Sequence, residues 1–272
     1  LMVASRVRLL MIALATGIIF YLLLIESEDI RTRLGSAAEL TGYWLFGVMV
    51  FLTLFNLRKK LSMIPLGPAN IWLALHSIGG LLALTLYWLH TKTLWPLGVY
   101  EQMLAALFYL TVASGIFGHV VQKICPPRLA QSDIEVIFER IPAHVAEIRQ
   151  KAEEIVLSCS EETREDTLGR HYLDTMSWFF RRPRFFISHM VGSQKGRQWV
   201  RQQDATVRRY LNENEKVWLD KLTEQAQFKN RIDLHFALQS IMKSWLLIHL
   251  PLTATLMVLA VWHLLVVNVY AL

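Results

Sequence analysis

The chain has 272 residues, 54% of them hydrophobic, with a mean hydropathy of +0.34 and a formal net charge of +6. An average this apolar is rare in a soluble domain of that length and points to a membrane protein. The positive charge implies no nucleic acid: no basic stripe interleaves with aromatics in base-stacking order, and membrane proteins gather Lys and Arg on one side in any case.

Five apolar runs, 9–25, 40–57, 71–89, 103–121 and 245–269, approach or exceed the span of about 18 residues that crosses a hydrocarbon core. The first follows Arg6 and Arg8, as a signal peptide would, but continues IESEDIRTR (25–33) without a small-x-small cleavage site. It therefore reads as a retained helix. LRKK (57–60) follows the second run, and Lys123 and Arg128 follow the fourth. The other connections hold Glu26, Glu28 and Asp29 with two arginines, or the single Lys92. This alternation predicts a cytoplasmic N-terminus, a cytoplasmic 125–240 segment and an outside C-terminus, with the bacterial inner membrane as the expected location. Many of the nine tryptophans, among them Trp72, Trp88, Trp95, Trp245 and Trp262, fall near run ends as interfacial anchors do.

The expected fold is all-α: an integral membrane helix bundle of about five transmembrane helices with a helical cytoplasmic insert. Its parts are transmembrane helices 1–4 in 1–124, the insert in 125–240, and transmembrane helix 5 in 241–272. The paired prolines of CPPR (125–128) are expected to stop the fourth helix. In IPAHVAEIRQKAEEIVLSC (141–159), Ile141, Val145, Ile148, Ala152, Ile155 and Val156 recur at helical spacing. REDTLGRHYLDTMSWFF (164–180) is a second helical candidate. From Ser193 to Trp245 there is no proline, and after Gly196 no glycine, which predicts one long amphipathic helix running toward or into the last span. FFRRPRFF (179–186) brackets three arginines with four phenylalanines, a pattern suited to docking an acidic redox protein or lying in lipid headgroups.

No strand alternation, GxGxxG fingerprint or GxxxxGK[ST] loop occurs, so no intrinsic NAD(P) or flavin is expected. Cys125 and Cys159 form neither CxxC nor CxxCH; they read as two reduced thiols rather than as ligands of an iron–sulfur cluster or a covalent haem.

The histidines are the most informative residues. LHSIGGLLALTLYWLH (75–90) carries His76 and His90, and IHLPLTATLMVLAVWHLL (248–265) carries His249 and His263, each pair fourteen positions apart. Fourteen helical steps leave two rings about 40° apart on one face and about 21 Å apart along the axis. By the charge pattern both helices run from cytoplasm to outside, so His76 matches His249 in depth and His90 matches His263. Imidazole suits iron, and intramembrane ionisable residues are costly and usually functional. Two facing helices with equal spacing are therefore expected to clamp two bis-histidine haem b groups, one above the other. Gly79 and Gly80 offer side-chain-free surface beside His76 for a porphyrin. His119, in GIFGHVVQK (115–123), has no partner at matching spacing and reads as a headgroup-level residue or, alternatively, as a neighbour of the ligands or of a propionate. Arg58, Lys59, Lys60 and Lys243 on one side, and Lys92 with Arg31 or Arg33 on the other, are candidate propionate partners. His144, His171, His189 and His235 show no metal-ligand spacing and read as surface or packing residues.

With these four histidines, the segments HSIGGLLALTLYWLH and HLPLTATLMVLAVWH resemble the ferric-reductase/NADPH-oxidase transmembrane domain, whose third and fifth spans supply two histidine pairs to stacked b haems. The spacing is also similar to the di-haem cytochrome b of quinol-oxidising bc complexes. The resemblance covers roughly 70–122 and 244–266, and the long insert departs from it. It implies transmembrane electron transfer by a subunit of a larger redox system, with a soluble iron–sulfur or flavin protein as donor or acceptor at the insert. A quinone-reactive cytochrome b subunit is the alternative, and a non-redox membrane scaffold or transporter the second. Membrane lipid is a partner in every case.

Overall fold

A computed structural model describes residues 14–19, 21–25, 38–55 and 70–270, and the helical backbone of 37, 56–60 and 69. Every regular element among the described residues is helical. In chain order these are α1 (Leu14–Ile25), α2 (Ala37–Lys60), α3 (Ala69–Thr91), α4 (Val99–Ala130), α5 (Ile141–Thr163), α6 (Thr167–His171), α7 (Ser177–Arg181), α8 (Phe186–Met190), α9 (Lys195–Arg208) and α10 (Glu213–Tyr270). A single 3-10 turn (Phe138–Arg140) precedes α5, and a π-turn (Tyr172–Met176) joins α6 to α7. Four helices, α2, α3, α4 and α10, are long and apolar enough to cross a membrane, and the apolar α1 is shorter. The chain forms two compact units: one contains the described residues up to Val120 together with those from Trp245 onward, the other Val121–Ser244.

In the first unit the helices are apolar on their outer faces as well as inside. Leu81, Val258 and Leu265 are exposed, while Leu86, Ala105 and Phe108 form part of the core with Leu45 and Leu256. A helix apolar all round is at home in lipid. Several hydroxyls along these helices are satisfied locally, Thr53 by the Val50 carbonyl, Thr85 by Leu82 and Thr253 by Leu250, whereas Thr111 Oγ1 is buried without a partner. Between helices, the Tyr100 hydroxyl donates to the Leu259 carbonyl at 2.9 Å and the Trp245 indole to the Ser114 carbonyl at 2.8 Å.

The second unit has an independent core. The face of α5 buries Ile141, Val145, Ile148, Ala152, Val156 and Cys159, the i, i+3/i+4 stripe of the sequence, with Ile155 packed at its margin. Against it lie Leu168, Met176, Phe179 and Phe180, then Val200, Leu219 and Leu222. Three sequence expectations are corrected here. The prolines of CPPR do not stop α4, which continues to Ala130. Proline's fixed φ is helical, so Pro126 and Pro127 can continue α4 at the cost of two missing N–H donors and of ring contacts with the preceding turn, and the last turn closes through Gln131 N–H to the Pro127 carbonyl at 3.1 Å. The 193–245 stretch does run as helix straight into the last span, as expected, but as two helices rather than one. It breaks between α9 and α10, where the Asn212 side chain accepts from Glu215 N–H at 2.8 Å and Glu215 accepts from Asn212 N–H at 3.0 Å. This reciprocal capping box starts α10 anew. FFRRPRFF is not a surface element throughout: Phe179 and Phe180 are fully buried, and Arg184 stacks 4.7 Å over Trp178 while donating to its carbonyl.

His189 of α8 is buried in this unit, and burial together with the Lys229, Arg128 and Arg197 charges pulls its pKa from 6.5 down to about 4. The unfolded chain therefore binds a proton between pH 6.5 and 4 that the folded chain refuses. Stability is fully present above pH 6.5 and falls as the pH drops toward 4, with a slope of up to about 1.4 kcal/mol per pH unit from this group. Comparing His189→Gln with the parent chain by hydrogen exchange of α5 amides should show that slope reduced; equal slopes would remove the assignment.

Candidate functional site

α3 and α10 bring their histidines together across the helix interface in register. His76 faces His249 with ring centroids 6.4 Å apart and planes at 77°; His90 faces His263 at 6.4 Å and 84°. With a metal–imidazole bond of about 2.0–2.1 Å and a ring nitrogen about 1.1 Å from its ring centre, two imidazoles trans on one metal have centroids about 6.3 Å apart. Both pairs have that separation. A histidine–histidine contact made for its own sake has no reason to repeat the same spacing at two depths.

In one ring of each pair the Nδ1 atom is engaged, whereas His76 Nδ1 is buried without a hydrogen-bond partner. His90 Nδ1 donates to the Ala38 carbonyl at 2.8 Å, and His249 Nδ1 lies 3.2 Å from Ser114 Oγ. An occupied Nδ1 holds the ring in orientation and leaves Nε2 as the nitrogen that could bind a metal. Tyr100 stacks on His263 at 6.0 Å, and Trp245 on His249 at 5.4 Å.

Each pair lines its own cavity. The one at His76 and His249 encloses about 300 Å³, and the one at His90 and His263 about 330 Å³, the scale of small-molecule sites. Their walls are mainly apolar, and Met49, Phe108 and Leu256 line both, so these three side chains stand between them.

Glycines permit these approaches. A Cβ on Gly42 would lie 2.9 Å from His90 Cε1, one on Gly115 3.7 Å from His249 Cε1, and one on Gly118 2.0 Å from Trp245 Cζ2. Gly42 lets α2 come against His90 and Gly118 lets α4 come against the Trp245 indole, whereas a Cβ at Gly115 would make only ordinary contact with His249, the small-residue logic of membrane helix packing. Of the two glycines singled out in the sequence, Gly80 lines the His76 cavity with open space above it, whereas Gly79 faces Leu52 of α2 at 2.9 Å and serves helix packing. The two are neighbours in sequence and so differ by about 100° around the helix.

His119 lines the His76 cavity and its Nδ1 lies 2.9 Å from Ser77 Oγ. Of the expected cationic partners, only Lys92 and Lys243 have described side chains, and neither lines these cavities. Lys243 belongs to the other unit, paired with Glu139 and lying 4.3 Å over Phe138. Lys92 is exposed and takes the left-handed conformation that ends α3. Arg31 and Arg33, and the side chains of Arg58, Lys59 and Lys60, lie outside the described residues. Two carboxylates, Glu39 and Glu101, line the His90 cavity. Gly42, Ser114, Tyr100 and Phe108 were not singled out by sequence. The small-residue series Ala113, Ser114, Gly115 and Gly118 was the available signal for the α4 side.

Among the described residues no three His, Cys, Asp or Glu side chains gather as a metal site. Two imidazoles cannot complete the shell of a bare ion, but they are a full axial set for an iron held in its equatorial plane by a porphyrin. The donor set, the ring separation and the apolar cavities fit that group. No family model matches the chain, and no curated protein or solved structure matches it either.

Proposed function

We propose that this protein is a di-haem b-type membrane cytochrome that carries electrons across the bilayer as a subunit or partner of a larger redox system. The observation supporting it most is the pair of facing imidazoles, 6.4 Å between centroids in both cases, each opening on its own apolar cavity. Bound there, the haems supply one-electron redox chemistry at two depths. His76 and His249 would hold one, and His90 and His263 the other. Fourteen residues of rise set the two levels about 21 Å apart between centres.

The chain's own residues then have distinct tasks. The Ala38 carbonyl and Ser114 hydroxyl orient His90 and His249 through their Nδ1 atoms. Met49, Phe108 and Leu256 fill the space between levels with apolar atoms that exclude water. Tyr100 and Trp245 brace the outward faces of His263 and His249.

In this reading the run 9–25 is a fifth span, of which 14–19 and 21–25 are described as apolar helix. Segment 125–240 is a cytoplasmic insert that meets a soluble iron–sulfur or flavin protein. The N-terminus is cytoplasmic, the C-terminus outside, and the bilayer is the bacterial inner membrane, as the basic flanks suggest.

The test is a pyridine haemochrome assay on the purified full chain in detergent. Two protohaems per chain and a reduced α-band in the b-haem region are expected. Protein carrying neither would overturn the reading and leave a non-redox membrane protein.

A further inference from the structure

The Val121–Ser244 unit contains a polar cleft of about 470 Å³ that electron transfer does not use. Four arginines line it, Arg128 from α4, Arg197 and Arg201 from α9, and Arg231 from α10, against one carboxylate, Asp133. Arg197, Arg201 and Arg231 are exposed and have no ion-pair partner among the described residues. Four guanidinium groups against one carboxylate give the cleft a positive potential that favours an anion. Arg128 is fixed by donating to the His189 and Met190 carbonyls, which keeps its planar fork at the cleft wall.

Two buried polar side chains in the same wall want a partner. His189 is 5% exposed with Nε2 unpaired, and Asn230 is 6% exposed with its amide oxygen unpaired. A buried polar atom without a hydrogen bond is costly, and His189 Nε2 can supply a donor to an anion in the cleft, whereas Asn230 Oδ1 can only accept. Gly196 makes room for the Asn230 amide, since a Cβ there would lie 2.1 Å from Asn230 Oδ1. Gly196 and Arg197 also belong to the first turn of α9, whose N-cap Gln194 makes no side-chain cap. Main-chain N–H groups in that turn remain available, and the helix dipole favours negative charge there.

We propose that this cleft binds a phosphoryl group, held by Arg128, Arg197, Arg201 and Arg231 with His189 Nε2–H and the amino end of α9 completing its hydrogen bonds. Planar guanidinium groups match phosphate oxygens bidentately, and the cleft is large enough for more than a single phosphate. Burial and the surrounding cations keep His189 neutral near pH 7, so it can donate one proton and accept another.

The phosphoryl group can arrive on a soluble molecule or on a phospholipid headgroup, and one experiment separates the two. Inorganic pyrophosphate is titrated calorimetrically into the full chain in phosphatidylcholine micelles, at matched ionic strength, with and without phosphatidic acid. Binding is expected to weaken about tenfold or more in Arg197→Gln/Arg201→Gln, whose exposed positions leave the fold intact by circular dichroism. Pyrophosphate binding that phosphatidic acid leaves unchanged supports a soluble ligand; binding that phosphatidic acid competes away supports a headgroup. Absence of pyrophosphate binding by the parent chain, or equal binding by the variant, overturns the proposal.

Discussion

Replacing His76 with alanine is expected to lower the haem content from two per chain to one, with the remaining spectrum that of the His90/His263 site. His90→Ala should leave the complementary spectrum. The pairing is tested by combination, because mutations within one site cannot add. His76→Ala/His249→Ala should resemble either single variant, whereas His76→Ala/His90→Ala should remove both haems. An undiminished ratio of two in His76→Ala would sink the assignment. Gly42→Ala gives a version that touches no ligand. Its new methyl would meet His90 Cε1 at 2.9 Å and should shift only the band of the His90/His263 site.

The second large effect is expected at the buried Lys229–Asp233 pair, 2.7 Å apart with both side chains fully buried. Lys229 also donates to the Arg182 carbonyl at 2.8 Å and lies 4.2 Å over the Phe179 ring, while Asp233 accepts from Arg184 N–H at 3.2 Å. Burial pulls Lys229 down to about 8 and pushes Asp233 up to about 6, so the fold tolerates these charges mainly through each other. Lys229→Met should lower the opening free energy of the α5–α10 core by about 3–5 kcal/mol, because it strands Asp233 without its cation. Lys229→Met/Asp233→Leu should recover most of that loss, since an apolar pair of similar size is often neutral or better. Hydrogen exchange of core amides reads both. A loss within about 1 kcal/mol for the single variant would show the pair to be solvated.

These two cases mark how far the sequence reaches. His76, His90, His249 and His263 were legible because spacing on a helix is a local property: fourteen residues define an angle and a rise whatever lies opposite. The apolar runs and the α5 stripe were legible for the same reason. The capping box of NENE (212–215) was equally local and would have divided the long helix correctly.

Lys229 and Asp233 were not legible. At i, i+4 on a polar helix they read as an ordinary solvated pair, and only Phe179, Arg182 and Arg184 from another part of the unit enclose them. The separation of Gly79 from Gly80 was likewise decided by where α2 lies, and the role of Gly42 by how closely His90 comes to it. The arginine cleft gathers residues 128, 197, 201 and 231, a convergence that no local window contains. The sequence by itself determined a helical chain with apolar spans and two histidine pairs of equal pitch, because periodicity and hydropathy act within one element. Tertiary structure decided which rings face each other at 6.4 Å, which charges are buried and which polar groups lack partners, because burial depends on neighbours distant in the chain.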